Sequence, residues 1–359
     1  MKMKHWILRL LALLLLCPAL LRAQDDITQL PIDQGLPLMV RTGVKFVSVT
    51  DLNETDNTFS GVVDMRLIWT DLRHRYDSRE APDGFKEWRT NSAVKRMEGM
   101  YVPQVAIANF AKEPSNVTHG LRIYPSGRIE LMQRYTGIFK LSLDVMKFPF
   151  DSQQLAVELI SRRAPLDRLF LTYDQDDLNF SDLVKSDLES WTPNVVTLRR
   201  DTMPGWYGQS HGRVWASLEV ARKPLSTLAI VFIPMLAVIL IPLIGLWLQK
   251  QEDGEFKLDA MDVANVLIGG LFAVIALNFA VVTSYSSLGG GDNPVNRLFG
   301  ICYMLLGLTF AISLLVFRFD LPRRWFGRYV SEEVFHFCHW GIPAITLTLS
   351  ASVLFMAAA

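Results

Sequence analysis

The hydrophobic pattern divides the chain into two unlike parts. Up to about residue 222, apolar side chains recur at every second position in short runs. Phe59, Gly61, Val63, Met65, Leu67 and Trp69 alternate with more polar neighbours, as do residues around 40–49, 128–134 and 214–220. Turn signals such as Pro82-Asp83-Gly84 and Pro125-Ser126-Gly127 punctuate these runs. Many short strands with little helical periodicity predict an exported β-sandwich of Ig-like, Greek-key type over 24–222. After Pro224 the pattern changes to four long apolar runs, about 225–248, 260–288, 297–318 and 333–357. Each is long enough for a bilayer-spanning helix, which needs roughly 20 residues. The predicted fold is therefore α+β overall, a sandwich followed by a four-helix transmembrane domain over 223–359.

The second run is not uniformly apolar. Asp262, Asn265, Gly269, Phe272, Ala276, Phe279 and Thr283 follow one another at alternating spacings of three and four, which places them on one face of a helix. That stripe is acidic at its start, apolar in its middle and hydroxylated at its end. Several copies standing around an axis with the stripe inward would line a water-filled path, with a charged ring at one mouth and a hydrophobic constriction part-way along. A stripe of small residues also suits close helix contacts in an ordinary bundle. A register one residue off would present Val266, Ala273 and Ala280 instead.

Charge adds orientation. Lys plus Arg and Asp plus Glu each total 36, so no global field points to a nucleic-acid partner. The first segment carries Lys2, Lys4 and Arg9, an apolar core at 10–16 and Ala23 before a candidate cleavage point. It reads as a secretory signal over 1–23, with an uncleaved anchor as the alternative. The loop after the first span holds Lys250 and Lys257, and that after the third holds Arg318, Arg323, Arg324 and Arg328. The loop at 289–296 has no Lys or Arg. Basic loops lie on the cytoplasmic side, which places the sandwich outside a cell membrane, extracellular or periplasmic, as the signal segment also does. Cys302 and Cys338 sit in apolar runs and read as small buried residues, so no disulfide holds the exported part. His336 and His339 share a helix face, but with no further ligand nearby they read as helix-end residues rather than a metal pair.

The segment KFPFDSQQLAVEL at 147–159 resembles the signature loop and following strand of the pentameric ligand-gated ion channels, the Cys-loop receptor superfamily, in a cysteine-less, bacterial-type form. Further matches stand in the family's order. Trp69-Thr70-Asp71 resembles the strand-β2 motif, and Tyr101-Val102-Pro103 through Asn109 resembles the W-x-P segment. Tyr124-Pro125-Ser126-Gly127-Arg128 resembles the P-x-G turn, and Arg222 precedes the first span. The resemblance covers essentially the whole mature chain and implies a homopentamer in a lipid bilayer, conducting ions when a small-molecule agonist or protons act between neighbouring sandwiches. The source it suggests is a bacterial inner membrane.

Residue roles follow from the same resemblance. Phe148, Pro149, Phe150 and Asp151 form an apolar loop tip, stiffened by proline, that rests on the membrane domain beside the connector ending at Pro294. Asp151 and Arg222 become an ion pair joining the domains, against the alternative of two surface charges that never meet. The stripe becomes the pore lining, and Asp262, aided by Asp259, Glu255 and Glu252, implies cation selectivity. For ligand binding the tracing selects Asp64, Arg66, Tyr101, Arg162, Trp206 and Tyr207. Most of the aromatic box used to hold amines is missing, and Trp206 with Tyr207 is equally readable as a packed loop tip. With Arg66, Arg162 and Arg163 nearby, an anionic ligand, or protons sensed by carboxylates, is as reasonable as an amine. No nucleophile elbow, HExxH or Cys/His spacing occurs, so neither enzyme chemistry, a cofactor nor a metal is expected. A non-conducting, membrane-anchored sensor or adhesion protein with the same fold is the alternative function.

Overall fold

The computed structural model describes residues 27–32, 35–252, 255–257 and 260–358. The expected signal segment and Asp259 lie outside them.

Eleven of the described strands build two sheets. The larger runs β3 (Lys86–Arg89), β5 (Asn116–Ile123), β6 (Arg128–Lys140), β2 (Thr58–Thr70), β1 (Leu38–Asn53) and β8 (Leu169–Thr172), with β9 (Leu183–Ser186) also paired to β1. The smaller runs β10 (Trp191–Pro204), β11 (Ser210–Arg222), β7 (Ser152–Ser161) and β4 (Val105–Ile107). Alternation explains why they stack. Along β11 every second residue is buried, and Val214, Ala216, Leu218 and Val220, with Leu155 beside them on β7, share one core with Phe46, Met65 and Leu131 of the larger sheet. Such a period leaves one face of each sheet to water and one to its partner. Two short helices that alternation does not reveal sit in the connections, α1 (Asn91–Glu98) and α2 (Gln175–Phe180). Helix α2 starts with a reciprocal cap, in which Asp174 accepts from the Asp177 N–H and Asp177 from that of Asp174.

Asp177 is also the meeting point of two strands. It accepts from Arg41 Nε at 3.0 Å and Arg66 Nη2 at 2.8 Å. Burial pushes its pKa up, but these guanidiniums and the Asp174 N–H more than offset that, so its carboxyl is held below the usual range.

Four helices long and apolar enough to cross a membrane follow: α3 (Leu228–Trp247), α4 (Ala260–Ser284), α5 (Pro294–Val316) and α6 (Arg328–Ala358). The first begins with a π-helical turn, Leu228–Phe232, which ends two residues before Pro234. Proline cannot donate to the preceding turn, and the wider turn absorbs that defect. The second helix ends at Ser284, short of residue 288, because Tyr285 leaves helical geometry before a 3-10 turn at Ser286–Gly289. The fourth begins at Arg328 rather than 333, since its first turn and a half is polar and outside the apolar run. Cys302 and Cys338 are buried and free. Glu252 and Glu255 lie opposite each other across a short hairpin of β12 (Lys250–Glu252) and β13 (Glu255–Lys257).

Two predictions test this architecture. At the irregular β1–β2 register, a Cβ added to Gly61 would lie 2.6 Å from the Ser48 carbonyl oxygen. Gly61→Ala is expected to destabilise the sandwich by about 1–3 kcal/mol through overpacking, read as a lower thermal midpoint in detergent; an unchanged midpoint contradicts the packing. The second concerns acid. Because Asp177 has a folded pKa below its unfolded value of about 3.9, its stabilisation is present above that pH and lost as pH falls through the folded pKa. Asp177→Asn should therefore flatten the loss of stability below about pH 4, measured as thermal midpoint against pH.

Candidate functional site

The junction between sandwich and helices is built on Arg222, the last residue of β11. Its guanidinium donates from Nε to Asp151 Oδ1 at 2.7 Å and from Nη2 to Asp151 Oδ2 at 3.1 Å. It also donates from Nη1 and Nη2 to the two carboxylate oxygens of Glu54, each at 2.8 Å. The pair expected from the sequence is thus a triad, with two bidentate carboxylates on one planar cation. Aromatic rings close the remaining sides, Trp191 at 4.2 Å and Phe148 at 4.8 Å from the guanidinium carbon. Burial alone would push the Arg222 pKa down; the two carboxylates more than offset it, so the group stays charged. Gln153 Nε2 holds Asp151 Oδ2 at 2.6 Å and the Asp144 carbonyl at 2.7 Å, which fixes the loop that presents the acid.

Phe148 is fully buried, and it belongs to the core of the helices rather than that of the sandwich. Its ring packs edge-on against Tyr285 at 5.5 Å and faces Phe232 of α3 at 6.3 Å. Phe150, expected to share the insertion, stays 38% exposed. The plug is one ring and not two: Phe148 is buried in the core of the helices and Phe150 is not. The second contact comes from the β1–β2 loop: Ser286 Oγ donates to the carbonyls of Thr55 at 2.8 Å and Glu54 at 3.3 Å. The sandwich therefore meets the α4–α5 connector at its beginning, Tyr285 and Ser286, rather than at its glycines. Pro294 opens α5, capped by Asn293, which also ties back the Leu288 carbonyl at 3.1 Å.

On α4 the seven stripe residues are all exposed in the protomer, Phe272 by 69% and Phe279 by 74%. The opposite edge carries the packing: Val263, Gly270, Val274 and Val281 are buried, and a Cβ on Gly270 would meet Ile241 and Leu306 within about 3 Å. Val266 and Ala273, from the alternative register, are half-buried, and only Ala280 is exposed. Just 17% of the most apolar window of α4 is buried within the protomer, against 33–44% for the other three helices. The fold leaves this one helix for contacts outside its own bundle.

The six residues selected for ligand binding do not converge in one protomer. Asp64 lines a cleft of about 730 Å³ on the larger sheet, where it takes a bidentate contact from Arg134 at 2.7 and 2.8 Å. Arg66 packs its guanidinium 4.1 Å above Phe180, which lines the same cleft. His119 is also there, hydrogen-bonded to Gln133 at 3.1 Å, and burial pushes its pKa down. Tyr101 and Arg162 stand elsewhere, beside β4. Trp206 and Tyr207 cap the β10–β11 hairpin at 97% and 90% exposure, so they are not a packed pair within the protomer. Of the histidines in the last span, His339 stacks on Phe335 at 5.2 Å, and its carbonyl accepts from Trp247.

Residues 19–224 match the family described as neurotransmitter-gated ion-channel ligand binding domain. The chain belongs to that family. It is 23% identical over 266 residues to a proton-gated ion channel of Gloeobacter violaceus, covering 73% of this chain and 68% of the channel. It is 20% identical over 285 residues to a gamma-aminobutyric acid receptor subunit pi of Bos taurus, covering 75% of this chain and 58% of the subunit. With the human subunit rho-1 it shares 21% over 248 residues, 65% of this chain and 48% of the subunit. The motif order at 69–71, 101–109, 124–128 and 147–159 thus identified a multi-pass ligand-gated channel family correctly. Glu54 escaped notice because it lies in Asn53-Glu54-Thr55, a glycosylation-type triplet, and nothing local announces a partner 168 positions away. The one available signal was the turn chemistry of Asn53, whose side chain accepts from the Thr55 and Asp56 N–H groups at 2.9 Å.

Removing the Arg222 side chain leaves two carboxylates facing one another at a buried site. Arg222→Ala is expected to destabilise the folded protein by about 3–5 kcal/mol, measured by thermal or denaturant unfolding. Glu54→Gln keeps a hydrogen-bonding group and should cost less; equal effects from the two changes would contradict the triad.

Proposed function

We propose that five copies of this chain form a cation channel in a bacterial inner membrane, with α4 lining the pore and the sandwiches sensing a small ligand or protons at their mutual interfaces. The observation that carries this reading is the one-sided packing of α4. A helix with Asp262, Asn265 and Thr283 on its exposed edge is costly to turn toward acyl chains, whereas around a shared axis that edge is wetted. Asp262 at one end supplies a ring of negative charge, and Phe272 and Phe279 supply bulky apolar rings where a gate can dewet.

The ligand chemistry follows from the cleft that carries Asp64. Its cations already hold carboxylates: Arg134 holds Asp64, and Glu87 is shared by Arg122 at 2.8 Å and Arg89 at 2.7 Å. A small zwitterion, with one carboxylate and one ammonium, can replace such pairs group for group. The relatives named for gamma-aminobutyric acid and for protons favour these two agonist classes. The exposed hairpin tip with Trp206 and Tyr207 would close over the cleft of the neighbouring subunit.

Coupling then runs through Arg222. A ligand opens the channel only if it binds the open state more tightly than the closed one. The triad, Phe148 and the Ser286 contact form a continuous connection from both sheets to α3 and α4, so that a shift of the sandwich displaces the helices.

The test is recording from the purified protein in planar bilayers, across pH and a panel of small amino acids, in asymmetric KCl. Currents are expected to reverse near the potassium potential, with Asp262→Ala moving the reversal toward zero. Reversal near the chloride potential would overturn the selectivity, and absence of current under every condition would favour the anchored sensor.

A further inference from the structure

A second recess, separate from the cleft that carries Asp64, lies between the approach to β4, the β7–β8 loop and the segment at 28–30. Its volume is about 360 Å³, within the range of small-molecule sites. Leu30, Met97 and Met100 give it an apolar side, and methionine adapts its shape to what it contacts. Tyr101, Gln104, Arg163 and Arg168 give it a polar side. Among the described residues its lining contains no carboxylate, and neither Arg163 nor Arg168 makes an ion pair. That contrasts with the Asp64 cleft, where Arg134 pairs with Asp64, and Arg122 and Arg89 share Glu87. Burial pushes the Tyr101 phenol up to about 12, which keeps its proton in place as a donor at neutral pH.

We propose that this recess binds a small amphipathic carboxylate, its acid group held by Arg163 and Arg168 with Tyr101, and its hydrocarbon part laid against Leu30, Met97 and Met100. Two guanidiniums and a phenol supply the donors that a carboxylate takes up when it leaves water. The thioether and aliphatic side rewards an apolar body that a simple inorganic anion lacks. The walls also reach the residues assigned to ligand sensing. The Arg162 N–H donates to the Gln104 carbonyl at 3.1 Å, and Ser161 Oγ donates to the Ala164 carbonyl at 2.7 Å. The His211 ring bonds the Ser161 carbonyl at 2.8 Å, at the base of the hairpin bearing Trp206 and Tyr207. An occupant of the recess therefore biases the hairpin, a consequence that rests on the channel reading; the binding itself does not.

Titration calorimetry of the purified full-length protein with benzoate, benzyl alcohol and benzylamine tests the binding without any current being measured. Benzoate should bind saturably, at one site per chain, and about tenfold or more tighter than the alcohol or the amine. Arg163→Gln with Arg168→Gln should weaken benzoate at least about tenfold. The paired lysine substitutions should restore part of that loss, with folding checked by size-exclusion elution. Arg134→Gln, in the other cleft, should leave benzoate binding unchanged. Equal affinity for benzoate and benzyl alcohol, unaltered binding in the double glutamine variant, or loss of binding with Arg134→Gln would each overturn the proposal.

Discussion

The structure depends on a single buried cation. Arg222 is the last residue of the sandwich and stands just before the first membrane helix, with its side chain 1% exposed. An arginine there is tolerable only because Asp151 and Glu54 occupy its donors and two aromatic faces cover its plane. Each acid arrives on a different loop: Asp151 at the start of β7 in the smaller sheet, Glu54 on the turn between β1 and β2 in the larger one. Satisfying one charge therefore requires both sheets to be in place together. The same requirement positions Phe148 over Phe232 and Tyr285, so electrostatics and packing at the junction are one constraint.

A second asymmetry sits inside the membrane domain. Helices α3, α5 and α6 share apolar contacts, whereas α4 lends that bundle only Val263, Gly270, Val274, Val281 and their half-buried neighbours. Gly270 lets α4 approach Ile241 and Leu306, while Gly269, one residue earlier, has nothing within 4 Å of an added Cβ. Adjacent glycines thus serve opposite sides of the helix. The close approach packs one face of α4 against α3 and α5 and leaves the stripe from Asp262 to Thr283 on the face turned away from them.

Much of this is legible in the sequence. Period-two alternation located β1, β2, β6 and β11, because a half-buried strand must alternate. Apolar runs located the four helices, because lipid demands length and low polarity, and the three-and-four spacing from Asp262 to Thr283 picked out the edge of α4 that the protomer leaves uncovered. The short helices α1 and α2 were not legible: neither is long enough to show a period. The end of α4 was misplaced by four residues because composition continues past Ser284 while backbone geometry does not.

Sequence by itself determined the two-part architecture, the number of long apolar helices and the identity of the junction loop, since each of these is written in local periodicity, apolar run length or a short motif. Only the tertiary structure decided that Glu54 completes the Arg222 site, that Phe148 inserts while Phe150 does not, and that the six residues selected for ligand binding lie in separate places on one protomer. The reason is physical. A guanidinium is satisfied by whichever acids the packing of two sheets delivers, and a side chain's direction at a turn depends on what it meets across space. Neither is encoded in the neighbours along the chain.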